Sequence, residues 1–322
     1  MQQSDVRPEQ ATPVISDLAP TSRGARALVR GRFWYRRVGL PYLFLTPFLL
    51  VFLLFLILPL GYALGISLFN ERLVGGTVFV GLQNYAHALH DTNFWEGISR
   101  VALLLIVQVP IMLILSLILS LLIDSQIVRW KTLFRLGYFL PYAVPTVIGA
   151  LLWGYLYSAH LSPFAQISDA LHWPAPGFLT ANGLLPSIGN MLLWEWTGYN
   201  MIVMYAALQS IPAELYDAAR VDGASGWEVA RYVKIPLILP AIGVTIIFSI
   251  IGTLQLFTEP QIMNSIAPQL IQDHYTPNLY AYNLAFTDQQ YNYAAAISFV
   301  LGAIVFVCSY IFILASNRRG RR

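Results

Sequence analysis

Long stretches of this 322-residue chain carry no Asp, Glu, Lys or Arg. Residues 38–70, 101–123, 235–258 and 289–317 are uncharged throughout, as are 136–168, and 188–210 holds one charge, Glu195. A hydrocarbon core about 30 Å thick is crossed by about 20 helical residues. In lipid, only a helix satisfies its own backbone groups over runs of this kind. Charged residues make up 11% of the chain, against about 25% in ordinary soluble domains, too few to cover a water-soluble fold of this size. The reading is an all-α membrane protein with six transmembrane helices, at roughly 42–64, 101–123, 137–158, 190–210, 236–258 and 293–315.

The basic residues orient these spans. Seven lie before residue 38, three (Arg129, Lys131, Arg135) follow the second span, three (Arg220, Arg231, Lys234) follow the fourth, and four close the chain. The intervening loops hold only Arg72 and Arg100. The positive-inside rule therefore places both termini in the cytoplasm, N-in and C-in, which requires an even number of crossings. Residues 1–37 read as a disordered basic cytoplasmic arm, 38–315 as the transmembrane permease domain with a core over 97–313, and 316–322 as a basic cytoplasmic tail. The apolar run behind the arm exceeds the 7–15 residues of a signal-peptide core, so it reads as an uncleaved first span. No soluble basic domain is present to suggest a nucleic-acid partner. Cys308 is the single cysteine, which excludes disulfides within the chain and cysteine-based metal sites. The five histidines are scattered over outer loops without the helical spacing of a metal site, and no G-x-S-x-G motif occurs, so neither a metal nor a catalytic residue is expected.

Prolines punctuate the spans. Pro141 and Pro145 predict a bent or irregular third span, and Pro110 is a candidate bend in the second. The first outer loop has strand-like and turn-like pieces (GGTVFVGLQNY) before a short segment around 94–97. In the second, HWPAPGF forbids a continuous helix.

One loop is unlike the rest. Between 211 and 236, ELYDAARVDGASGWEVARYVKIP packs seven charged residues into an otherwise apolar chain. Pro212 suits a first helical turn, with Glu214 and Asp217 at the positive end of the dipole. Leu215, Ala218, Ala219 and Asp222 share a narrow face, and Gly223 suits a left-handed cap. Ser225 and Glu228 fit a capping box opening a second helix, which Pro236 is expected to stop before the fifth span. Four acids against three bases argue for a protein partner rather than an anionic lipid surface.

DAARVDGA followed by VKIPLILP resembles the signature cytoplasmic loop of ABC import permeases, usually Glu-Ala-Ala, a glycine four residues later, and then Ile-x-Leu-Pro. Asp217, Ala218, Ala219, Gly223 and the stretch Val233 to Pro236 occupy those positions, with Asp for Glu at 217, Val for Ile at 233 and Ile for Leu at 235. FVGLQNY (79–85), FRLGYFLPYAVPTVIGALLWGYLY (134–157), AALQSIP (206–212) and YNYAAAISFVLG (291–302) resemble carbohydrate-uptake permeases of the maltose, glycerol-phosphate and trehalose import type, the first of the two unlike permeases such systems use. The resemblance covers roughly 40–315. It implies the type I ABC importer permease fold in a bacterial cytoplasmic membrane and a second permease subunit as partner. It also implies two cytoplasmic ATPases docked on the loop, an external substrate-binding protein and a carbohydrate substrate. Asp217, Ala218, Ala219, Asp222 and Gly223 would make the ATPase contact. ATP and Mg would sit on the partner ATPase. The only two lysines, Lys131 and Lys234, lie outside any phosphate-loop motif, so an ATPase site must belong to another chain.

Polar residues inside apolar spans are the candidates for a sugar pathway. These are Gln255, Thr253 and Ser249, with Glu259 at the outer end of the fifth span; Trp196 and Asn200 in the fourth; and Gln108 in the second. Trp194, Trp196 and Tyr199 fit an aromatic belt at the outer interface better than sugar stacking. Glu195, near a helix end, fits an outer headgroup contact. The alternative function is a secondary transporter driven by an ion gradient, which would show internal repeats and embedded ionisable residues. A membrane enzyme or channel would need motifs that are missing.

Overall fold

A computed structural model describes residues 40–72, 75–125, 128–158, 162–174 and 177–319. The basic arm over 1–37 and the end of the tail beyond 319 lie outside the described residues.

The first apolar run is helical from Leu40 to Ser67, as α1 (Leu40–Phe52), a π-turn (Leu53–Ile57) and α2 (Leu58–Ser67). Every residue from 41 to 62 is exposed, as expected of an apolar helix whose surroundings are hydrocarbon or protein. Residues up to Tyr62 and those from Ala63 onward form separate compact units.

After the end of α2, the second unit carries a hairpin of β1 (Phe69–Arg72) and β2 (Gly76–Phe79), antiparallel with Phe69 opposite Phe79. After α3 (Gln83–His90), α4 (Thr92–Asp124) runs for 33 residues. The segment around 94–97 is therefore the first turn of the second span's helix, not a separate piece. Asp91 explains the early start, because its carboxylate accepts from the Asn93 and Phe94 backbone N–H groups at 2.9 and 3.4 Å, capping the helix ten residues before the apolar run. Pro110 is carried inside this helix without interruption.

The segment read as the third span is broken. α5 (Lys131–Ala143) and α6 (Thr146–Tyr157) meet at Val144–Pro145 with a bend of 94°. Proline removes an amide donor and pushes its preceding residue out of the helical region, and Val144 is extended at ψ 130°. α7 (Pro163–Leu171) and an irregular stretch lead to α8 (Leu184–Gln209). The charged loop forms α9 (Ala213–Val221) and α10 (Gly226–Val229), then a π-segment (Ala230–Lys234) that flows into α11 (Ile235–Leu254). Pro236 thus does not stop the second loop helix. Both π-segments sit just before a proline, Pro59 or Pro236. A locally widened turn accommodates the missing donor and the ring without ending the helix. α12 (Thr258–Ile266), α13 (Pro277–Phe286) and α14 (Tyr291–Arg319) complete the chain.

Among the described residues, four helices are long and apolar enough to cross a membrane, and five if the bent pair counts as one. α8 has 26 residues, about 39 Å at 1.5 Å per residue, but carries Asn190, Glu195, Thr197 and Asn200 along its length.

α4 and α8 are the centre of the second unit. Ser116 donates to its own helix at Met112 O and to Thr197 O of α8 at 2.9 Å. Val101, Leu104, Ile188, Met191, Leu254, Met263 and Ile297 form the main buried cluster. Met204, Leu208 and Ile238 form a smaller one at the other end. Gly198 lets α5 approach: a Cβ there would lie 1.7 Å from the Tyr138 carbonyl oxygen. Small residues at helix crossings are how membrane helices gain contact, since burial from lipid supplies little.

Candidate functional site

The seven sequence-chosen pathway residues meet at one cavity of about 220 Å³. α4 brings Gln108, α8 brings Trp196 and Asn200, and α11 brings Ser249 and Thr253. Gln255 and Glu259 come from the turn and helix that follow. Thr146, Glu195 and Tyr199 complete much of the polar wall, with Met112, Phe248 and Phe257 as apolar lining.

Two carboxyl groups are placed differently from expectation. Glu195 lies well inside α8, is 7% exposed, and accepts a hydrogen bond from Thr146 Oγ1 at 2.7 Å. It is not a headgroup ligand. Glu259, expected at the outer end of the fifth span, instead follows a break in the helix. α11 ends at Leu254, the backbone reverses character through Gln255 and Phe257, and α12 restarts with Glu259 in its first turn, 6% exposed. Carbonyls left open by such a break must find donors. Thr276 Oγ1 donates to Leu256 O and Asn278 Nδ2 to Gln255 O, each at 2.9 Å. The break carries the Glu259 carboxyl close enough to that of Glu195 for the two to interact.

Two of the three aromatics read as an interfacial belt face this cavity. Tyr142, from the turn before the 94° bend, stacks on Tyr199 at 4.8 Å between centroids and meets Trp196 edge-on at 5.3 Å. Trp196 and Tyr199 both line the cavity, whereas Trp194 packs edge-on against Trp153 instead. Gln108 is 5% exposed and its Oε1 has no hydrogen-bond partner. An open buried acceptor beside a cavity is a place for a ligand hydroxyl or a water. No Lys, Arg or His lines this cavity among the described residues. Thr146 and Tyr142 went unnoticed in the sequence. The signal for Thr146 was its hydroxyl, placed directly after Pro145 in an apolar run.

The charged loop is built by its caps. Pro212 precedes α9, and Gly223 follows it at φ +79°, where a side chain would be strained. Ala224 N donates to Ala219 O and Gly223 N to Arg220 O, both at 3.0 Å, the paired bonds of a Schellman ending. Ser225 Oγ then accepts from Glu228 N at 3.4 Å, while Glu228 Oε2 accepts from Ser225 N at 2.7 Å, a complete capping box. Asp217, Ala218, Asp222 and Gly223 are exposed, and Ala219 is half-buried. Asp217 pairs loosely with Arg220 at 3.4 Å. Val221 at 88% and Trp227 at 67% exposure also stand out, an apolar surface that the sequence reading did not single out. Tyr216, at the base of the loop, has its phenol pKa pushed up by burial and by the Asp124 carboxylate.

Residues 117–322 match the family described as the binding-protein-dependent transport system inner membrane component. The chain belongs to that family. This inner-membrane permease is 32% identical to the lactose transport system permease protein LacF of Rhizobium radiobacter, over 86% of this chain and 94% of the relative. It is 30% identical to the arabinooligosaccharides transport system permease protein AraP of Bacillus subtilis, over 88% and 90%. The trehalose/maltose transport system permease protein MalF of Thermococcus litoralis is 32% identical over 69% and 76%. Among solved structures, a bacterial ABC transporter involved in import of the acidic polysaccharide alginate superposes with a TM-score of 0.77 at 21% identity, covering 89% of this chain and 99% of that one. The fold is thus that of an ABC importer permease, and family membership leaves the ion-gradient alternative without support.

Proposed function

We propose that this permease forms half of the translocation pathway of an ATP-driven importer for a neutral carbohydrate. The observation that carries this is the cavity between α4, α8, α11 and α12. Its wall offers carboxyl, amide and hydroxyl groups with an aromatic face, and among the described residues no basic side chain lines it. Polyhydroxylated rings are bound by such mixtures of acceptors, donors and aromatic surface in a largely apolar pocket. The lactose, arabinooligosaccharide and trehalose/maltose systems of the relatives support the same class. Two carboxyl groups without a base disfavour an anionic sugar. Gln108, Trp196, Asn200, Ser249, Thr253, Gln255 and Glu259 would contact it.

In this reading the chain crosses the membrane six times, N-in and C-in. The crossings are α1–α2, α4, the bent pair α5–α6, α8, α11 and α14, and the alternation of basic loops supports that count. Residues 1–37 and 316–322 are its cytoplasmic ends, and 38–315 its transmembrane domain with the core at 97–313. The exposed loop over 211–236 docks on one of two ATPases through Asp217, Ala218, Ala219, Asp222 and Gly223. ATP and Mg stay on those subunits, so this chain transports without hydrolysing. A second permease completes the pathway, and an external binding protein delivers the sugar.

The test reconstitutes the complete transporter in proteoliposomes with its ATPases and binding protein. Gly223→Val is expected to abolish uptake while the subunits remain assembled, and Trp196→Ala to weaken uptake at least tenfold without loss of assembly. Normal uptake by Gly223→Val in an intact assembly would remove the docking assignment. Normal uptake by Trp196→Ala would remove the cavity as the pathway.

A further inference from the structure

Asp124 is the last residue of α4, where an acidic side chain faces the negative end of its own helix dipole. Its surroundings offset that unfavourable placement. The Lys234 ammonium pairs with its Oδ2 across 110 residues of sequence, with the two side chains only 16% and 10% exposed. Gln209, the last residue of α8, donates to its Oδ1 at 2.7 Å. Lys131, the first residue of α5, donates to its backbone oxygen at 3.2 Å. These are the only two lysines in the protein, and both converge on one residue. Tyr216 of α9 closes the group: its ring lies 5.2 Å from the Lys234 ammonium and its hydroxyl donates to Leu208 O at 3.5 Å. The other ion pairs among the described residues are more exposed and join α4 to itself, α9 to itself, or Glu96 to His274.

Four elements therefore end on Asp124: α4, α5, α8 and the exit of the charged loop. Two of them also line the cavity. Gln108 sits 16 residues up α4 from Asp124, about 24 Å at helical rise, and Asn200 sits 9 residues up α8 from Gln209, about 14 Å. Helices of this length transmit a displacement at one end to the other as rigid rods. An enclosed ion pair is a weak source of stability but holds one geometry. Resting on the reading of 211–236 as the ATPase-docking loop, we propose that Asp124 is the positioning residue that clasps this loop, through Lys234 and Tyr216, to the inner ends of α4 and α8. Movement of the docked loop then reaches the cavity walls.

The test uses the complete transporter in proteoliposomes and reads sugar uptake per ATP hydrolysed. The near-isosteric Asp124→Asn keeps an acceptor for Gln209 and removes the charge, and Lys234→Gln removes the other half. Each is expected to assemble and hydrolyse ATP while uptake per ATP falls at least tenfold. The exchange Asp124→Lys with Lys234→Asp is expected to recover a third or more of the lost coupling, which a merely space-filling role would not do. If the single variants fail to assemble, an exchange variant that assembles and couples still supports the clasp, and one that does not overturns it. Wild-type coupling in both single variants also overturns it. Gly223→Val, measured alongside, separates the two claims. Uncoupling by that variant with none at Asp124 removes the clasp but leaves the docking loop. Unaltered coupling in Gly223→Val removes the loop reading itself.

Discussion

Replacing Gly198 by alanine inserts one methyl group where α8 meets α5. The added Cβ would stand 1.7 Å from the Tyr138 carbonyl oxygen, 2.5 Å from its carbon and 3.1 Å from Phe139 Cα. Carbon–oxygen contacts close in at about 3.3 Å, so the helices must part by roughly 1.6 Å or distort by an equivalent amount. The obstacle is backbone, which cannot rotate aside as a side chain can. Overpacking costs about 1–3 kcal/mol, and here the upper end applies. Separation also pulls Tyr142 from Tyr199 and Trp196, losing about 0.5–1.5 kcal/mol of aromatic contact. Against this, alanine in a helix interior gains about 0.5–1 kcal/mol over glycine. The net loss is about 3 kcal/mol, or a melting temperature lower by roughly 6 °C. Thermal denaturation of the purified transporter measures it. Gly302→Ala on α14, where nothing lies within 4 Å, is the control and should not lower the melting point. Equal melting of Gly198→Ala and wild type, within about 1 °C, would refute the packing argument.

Further outcomes are expected. Burial opposes ionisation of Asp91, but hydrogen bonds from the Tyr293 and Tyr280 hydroxyls and from the Phe94 and Asn93 amides outweigh it and hold its carboxyl below the usual 3.8. Its contribution is therefore present above pH 3.8 and is lost as pH falls through the lower folded value; Asp91→Ala should cost about 1–2 kcal/mol at pH 7 from the lost helix cap and flatten the acid limb of a stability–pH curve. Glu228→Ala removes half of the capping box and should loosen the start of α10, seen as faster amide exchange over 225–229 with sugar uptake little changed. Leu50→Arg, inside the exposed apolar helix, should oppose membrane insertion by about 2.5–3.5 kcal/mol, measurable as loss of the glycosylation or protease pattern of a spanning segment; insertion equal to wild type would argue against a crossing there.

Local rules explain what could be read directly from the residues. Pro212, Gly223 and the Ser225–Glu228 pair act within a few residues of one another, so spacing alone identified α9, its left-handed ending and the start of α10. The charge-free runs announced their helices for the same reason: the hydrocarbon requirement acts on each segment by itself. Prolines were legible as irregularities but not in their effect. Pro110 leaves α4 whole, Pro145 turns its chain by 94°, and Pro59 and Pro236 are absorbed by π-segments. The cavity residues were picked for their polarity in lipid, and the residues so chosen line one cavity. The meeting of Glu195 with Glu259 was not legible, because it depends on a helix break whose open carbonyls are satisfied by Thr276 and Asn278, some twenty residues later in the chain.

The convergence of Lys131 and Lys234 on Asp124 has a practical use. With no other lysine in the chain, every side-chain amine available to an acylating reagent belongs to that single joint. Peptide mapping after brief acylation would therefore act as an intrinsic gauge of its opening, read without any engineered label, at each stage of the ATP cycle.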